Sequence, residues 1–235
     1  MINIKRLFFV FAFLTCFFSS TYINAQKINQ FDENNKRTGI WQKEYPNKSI
    51  RYKGQFLNGK EVGVFKFYDQ SSSKQPTTVK TFYKDSDSLF VQFYTIKGKI
   101  ASEGMMKGRE RVGKWKYFYP KGTLMSEENY KNGKLNGEQF IYYENGKITE
   151  SAYYKNGLKD GIIRKFSKDG ILLEEMTFLN GKANGVSKYF ELNGKLKESG
   201  SYKDGKRVGK WLFYKDGKVV ADKEQKKIYT LKKGR

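Results

Sequence analysis

The sequence predicts an all-β protein: an elongated antiparallel β-hairpin repeat array of about eight 24-residue units forming one twisted or curled sheet. Three observations carry that prediction. Gly113, Gly137, Gly161, Gly185 and Gly209 are spaced 24 residues apart, and so are Gly39 and Gly63, the fixed period of a repeat architecture. Of the 23 glycines, 12 follow Asn or Asp, as in Asn145-Gly146, Asn156-Gly157, Asp169-Gly170 and Asn193-Gly194, and such pairs supply the positive φ that type I′ hairpin turns need. Between the turns lie apolar runs of only five to seven residues, aromatic and β-branched, with no stripe at 3.6-residue spacing, so strand is favoured over helix.

The elements follow in order. Residues 1–25 comprise a basic start (Lys5, Arg6), an apolar run from Leu7 to Phe18 and a polar stretch ending in Ala25, the layout of a secretory signal peptide. The run is shorter than the roughly 20 residues a spanning helix needs. Removing Lys5 and Arg6 lowers the formal charge from +22 to +20 and removes Cys16, the single cysteine. Cys16 also raises a lipoprotein alternative, for which Phe13-Leu14-Thr15 is a poor match. A lead-in covers 26–34, and the repeat domain 35–220.

Counting from each anchor glycine as zero, position +5 is Tyr68, Tyr94, Phe118, Tyr142, Phe166, Phe190 and Tyr214, and the residue seven before is Phe56, Phe82, Met106, Tyr130, Tyr154, Phe178 and Tyr202. Between Gly63 and Gly113 the period is two residues too long. An irregular insertion near 70–78 absorbs the pair, and the register resumes with Leu89 in the glycine slot. Two strands per unit at about 4.8 Å each make a sheet on the order of 75 Å long. A basic C-terminal tail or cap, 221–235, breaks the repeat.

Tyr-Lys-Asn-Gly-Lys-Leu-Asn-Gly (130–137) and its echoes at 154–161, 178–185 and 202–209, with Gly-x-Trp at Gly39-Ile40-Trp41, Gly113-Lys114-Trp115 and Gly209-Lys210-Trp211, resemble the MORN-repeat variant family. The resemblance covers roughly 35–220 and is strong from 113 onward. It implies an extended hairpin array serving as an interaction or membrane-associated scaffold, and some bacterial relatives carry an antitoxin label. It brings no catalytic residues.

Composition limits the chemistry. With no His there is no His base, triad or His metal ligand, and with Cys16 removed there is no thiolate chemistry. The protein is expected not to be an enzyme and to hold no cofactor or metal. Glu150, Glu174 and Glu198 recur at +13; such carboxylates could in principle hydrolyse glycosides, but a duplicated residue reads first as structural, pairing with lysines on neighbouring strands.

Two surfaces are candidates for binding. The +5 rings read as the core. Trp41, Trp115 and Trp211, at +2, fall on the opposite face because side chains alternate along a strand, and are either further core or a binding trough. On the trough reading, Trp115→Ala weakens binding without lowering the thermal midpoint. Lysine follows the turn glycine at Lys60, Lys99, Lys134, Lys147, Lys182, Lys195, Lys206 and Lys218, along both long edges. These lysines serve solubility and edge protection or form a cationic track for a polyanion. The candidate binding residues are therefore Trp41, Trp115, Trp211, Lys134, Lys147, Lys182, Lys195 and Lys206.

The expected function is an exported scaffold, periplasmic, outer-surface or secreted, that presents a basic aromatic β-surface to a protein partner or to an anionic envelope component such as a lipid headgroup or acidic glycan. The alternative is an antitoxin-like protein that neutralises a toxin by direct binding. Nucleic acid is disfavoured by the export signal and by the lack of a recognisable nucleic-acid motif.

Overall fold

A computed structural model describes residues 27–221. The signal peptide expected at 1–25 and all of the expected tail except Ala221 lie outside the described residues. Among the described residues, eighteen strands form one open sheet: β1 Gln30–Phe31, β2 Arg37–Glu44, β3 Ile50–Leu57, β4 Lys60–Asp69, β5 Ser72–Phe82, β6 Ser88–Tyr94, β7 Ile100–Lys107, β8 Glu110–Phe118, β9 Leu124–Lys131, β10 Lys134–Tyr142, β11 Ile148–Lys155, β12 Leu158–Lys159, β13 Gly161–Phe166, β14 Leu172–Leu179, β15 Lys182–Phe190, β16 Leu196–Lys203, β17 Lys206–Lys215 and β18 Lys218–Val219. Each strand pairs antiparallel with its neighbours in sequence; β12 and β13 both pair with β11 as one interrupted strand. Eight hairpin units result, the last ending in the two-residue β18.

The anchor glycines mark a break in the ladder. Across β9 and β10, Leu135 faces Tyr130 but Gln139 faces Glu128, so two extra residues are looped into β10 around Gly137, whose φ is 111°. The same excess surrounds Gly63, Gly113, Gly185 and Gly209. A side chain is strained at such a φ, and glycine is not. Leu89 confirms the cause by exception: Phe82 faces Leu89 and Thr81 faces Phe90 with no break. A second bulge follows in six of the units, where Arg51, Ala101, Met125, Thr149, Leu173 or Lys197 is skipped by the pairing. Bulges bend the strand and increase its twist, so a unit that has both carries two such bends. The surplus residues of the irregular unit are taken up in β5, where Tyr68 faces Pro76 and Asp69 already faces Ser72.

The two long edges use different turns. At one, Asn58-Gly59, Asn132-Gly133, Asn156-Gly157, Asn180-Gly181 and Asp204-Gly205 all have positive φ at both positions, as type I′ requires. Each of these glycine amides also donates to the preceding unit, Gly157 to the Leu135 carbonyl at 2.7 Å and Gly181 to Lys159 at 2.8 Å. At the other edge the type I′ expectation is corrected. Gly146, Gly170 and Gly194 have positive φ but Asn145, Asp169 and Asn193 do not; Tyr143 N–H donates to the Lys147 carbonyl and Gly146 N–H to the Tyr143 carbonyl. That is a three-residue loop, a type I turn closed by a left-handed glycine. Here tyrosine hydroxyls tie units together, Tyr119 to the Tyr142 carbonyl at 2.7 Å and Tyr143 to Phe166 at 2.9 Å.

The core lies on the +2 face. Phe65, Val91, Trp115 and Ser187 are fully buried, and Ile163 and Trp211 nearly so. The +5 rings are only half-buried and lie on the other face, where the Tyr142 hydroxyl donates to Glu127. Alternation along the strand holds, but the core is on the face opposite to the one expected. Packing on the +2 face is compensated in volume: a Cβ built on Gly54, Gly104 or Gly200 would overlap the ring of Phe65, Trp115 or Trp211 on the next strand, whereas Met176 faces Ser187. Large meets small across each pair, as close packing demands.

Candidate binding surfaces

Burial separates the three tryptophans. Trp115 is 0% exposed and Trp211 5%, so neither offers a ring face to a ligand. Trp115 donates its indole N–H to the Met105 carbonyl at 2.9 Å; the Trp211 indole N–H is buried without a partner. Both are core residues, which is the alternative to the trough reading. Trp41 is half-buried, because only the two-residue β1 covers it on one side.

Each tryptophan lies in the same local arrangement, Arg37-x-Gly39-x-Trp41, Arg111-x-Gly113-x-Trp115 and Arg207-x-Gly209-x-Trp211. The Arg guanidinium stacks on the ring, 4.9, 4.8 and 3.9 Å from its centre, an attraction that strengthens as the pair loses water. These arginines were missed as partners of the tryptophans in the sequence, although the signal, an Arg four residues before each Trp, is present there. Around Arg111 a polar network forms. Arg111 donates to the Tyr130 hydroxyl, which donates to Glu128 at 2.6 Å, and Gln139 donates to the other Glu128 oxygen at 3.1 Å. Burial, then the contact with Tyr130, pushes the Tyr117 phenol well above its ordinary range. Burial, then the bond to Glu128, raises Tyr130. Tyr189 is raised in the same way by burial and by Tyr202.

The recurring carboxylates are paired. Glu150 meets Lys159 at 2.9 Å, Glu174 meets Lys165 at 3.2 Å, and the buried Glu198 meets Arg207, not a lysine. Among the described residues no group of three or more carboxylates converges in a way that could hold a metal ion.

The lysines of the two edges have different surroundings. Lys134, Lys182 and Lys206 stand exposed on the type I′ edge, with Lys131, Lys155 and Lys203 beside them. Lys131 faces Lys134 and Lys203 faces Lys206 directly across their hairpins. On the opposite edge Lys195 pairs with Asp216 at 3.5 Å, Lys121 with Glu144 at 3.0 Å and Lys197 with Glu191 at 3.8 Å, while the Lys147 ammonium donates to the Asp169 carbonyl at 2.9 Å. None of these six lysines has an ion-pair partner among the described residues, whereas Lys107 on the same edge pairs with Asp87.

A single open sheet of stacked hairpins, each unit contacting its neighbours, defines the class: a linear hairpin-repeat protein. The MORN repeat variant family model matches the chain at residues 37–58, 111–132, 135–156 and 183–204. Every match begins two residues before an anchor glycine, at Arg37, Arg111, Leu135 and Ala183, so the family's unit and the glycine bulge share one phase. No curated protein matches the chain. Repeats of this kind point to a repeat-based binding module. Among the described residues no helix is long and apolar enough to cross a membrane.

Proposed function

We propose that this is an exported, non-enzymatic binding scaffold whose type I′ edge engages an anionic component of the cell envelope. The observation that carries this reading is the pairing of Lys131 with Lys134 and of Lys203 with Lys206 across two-residue turns. Like charges directly opposite one another on an antiparallel pair are destabilising. Lys155 and Lys182 extend the same edge between them. A polyanion laid along the edge relieves this repulsion at both lysine pairs and meets Lys155 and Lys182 between them, so the attraction accumulates with length and weakens with salt. The buried rings of the +2 face, Trp115 and Trp211 among them, hold the lysines in line without taking part in binding. Export is supported by the sequence layout of 1–25.

Two experiments test the proposal. Fractionation with N-terminal sequencing is expected to find a mature envelope or secreted protein beginning at Gln26, and an uncleaved cytoplasmic protein would refute export. Binding to a soluble polyanion is expected to weaken when Lys131, Lys134, Lys203 and Lys206 are changed together to Gln, and unchanged affinity would refute the edge.

A further inference from the structure

The three Arg-x-Gly-x-Trp arrangements are not equally complete. Arg207 stacks on Trp211 and donates both to the Glu198 carboxylate and to the Tyr202 hydroxyl. Arg111 reaches Glu128 through the Tyr130 hydroxyl. Arg37 stacks in the same way on Trp41 and on Phe56, at 4.9 and 5.2 Å. Phe31 takes the place of Tyr202, edge-on to the indole at 5.1 Å where Tyr202 is at 5.2 Å, but a phenyl ring has no hydroxyl to offer. The strand that would carry the counterpart of Glu198 is the two-residue β1. Among the described residues the Arg37 guanidinium has no carboxylate partner. Beside it lies a groove of about 390 Å³ lined by Asn29, Phe31, Trp41, Lys43 and Tyr52.

We infer that this groove is a carboxylate-binding subsite that takes one uronic acid residue of an acidic glycan, supplying from outside the anion that Glu198 supplies to Arg207. The chemistry fits on three sides. A guanidinium fork matches a carboxylate in two parallel hydrogen bonds, Lys43 adds a second positive charge, and the half-exposed Trp41 and Tyr52 rings give the apolar face of a pyranose a surface to lie on. The groove is at the N-terminal end of the array, so a glycan anchored there can continue along the cationic edge. The inference narrows the proposed anionic partner to a carboxylated sugar polymer, and rests on that reading for the rest of the chain's contact.

The test uses the full mature chain and tetragalacturonate, with maltotetraose and tetraglutamate as comparison ligands, followed by calorimetry and by tryptophan fluorescence. Tetragalacturonate is expected to bind and to perturb the emission of Trp41, and maltotetraose to do neither. Arg37→Gln is expected to weaken tetragalacturonate by about tenfold or more, the loss of a charge-assisted pair, with only a small fall in the thermal midpoint from the lost stacking on Trp41 and Phe56. Arg37→Lys, which keeps the charge and loses the fork, is expected to fall between. The Gln variant of Lys131, Lys134, Lys203 and Lys206 separates this inference from the edge reading: it is expected to keep tetragalacturonate affinity while binding long polygalacturonate more weakly. Equal binding by wild type and Arg37→Gln overturns the subsite, and tetraglutamate binding as tightly as tetragalacturonate overturns the sugar.

Discussion

The glycine opposite each large core ring can be tested by a double substitution at Gly104 and Trp115. Trp115 is 0% exposed and faces Gly104 across the β7–β8 pair. Trp115→Ala removes a fully buried ring, its hydrogen bond to Met105 and its contact with Arg111, and is expected to cost about 3–5 kcal/mol. Gly104→Ala places a methyl inside the contact distance of the indole. The ring must shift within a filled face, at a cost of about 1–3 kcal/mol. Once the indole is gone that methyl enters empty space, and an alanine there restricts the unfolded chain, a gain of about 0.4–1 kcal/mol. The double variant is therefore no less stable than Trp115→Ala alone, and the coupling between the sites is about 1.5–4 kcal/mol. Urea unfolding of the four proteins, followed by circular dichroism, measures it. Additive costs would refute the claim that the glycine exists to admit the ring.

Other perturbations separate the remaining forces. Trp115→Phe forfeits the bond to Met105 while Trp211→Phe forfeits none, so the first is expected to cost about 1 kcal/mol more by urea unfolding. Gly113 has φ of 64° and nothing within 4 Å of a built Cβ, so Gly113→Ala is expected to cost about 1–2 kcal/mol from backbone strain alone, with Asn recovering part of it. The raised phenols of Tyr117, Tyr130 and Tyr189 favour the protonated form in the folded state. Their contribution is full below the unfolded tyrosine pKa of about 10 and is lost as pH rises above it. Thermal midpoints are expected to fall progressively above that pH, and a flat profile would contradict the burial of these rings. Lys131→Gln is expected to raise stability by about 0.2–1 kcal/mol, by relieving repulsion from Lys134, while weakening polyanion binding.

Much of this architecture is legible in the sequence because the anchor glycines and the type I′ pairs such as Asn156-Gly157 impose backbone geometry locally. The turn at Asn145-Gly146 is not fixed by its dipeptide, because the same pair suits two loops. What separates them is one more residue between Tyr142 and Ile148, since the loop's extra length lets Asn145 keep a negative φ. Assigning the core face needed two strands at once. Aromatic residues occupy both +2 and +5, so alternation alone gives two faces and no preference. Glycine at 54, 104 and 200 resolves it, as only a ring pressed against the neighbouring strand demands a missing side chain there. The burial of Trp115 and Trp211, and with it the loss of two candidate binding residues, follows from that pairing. The ion pairs that distinguish the two lysine edges depend on which side chains meet across units, as Lys195 meets Asp216, and strand period does not carry that information.

The central claim is that the lysines of the type I′ edge act together as one extended contact for a polyanion. The most direct measurement is the salt dependence of binding to a long polygalacturonate, for the wild type and for the variant with Lys131, Lys134, Lys203 and Lys206 all changed to Gln. The wild type is expected to lose affinity steeply as salt rises, and the variant to bind more weakly with a clearly shallower slope and an equal or higher thermal midpoint. Identical slopes for the two proteins would contradict the account.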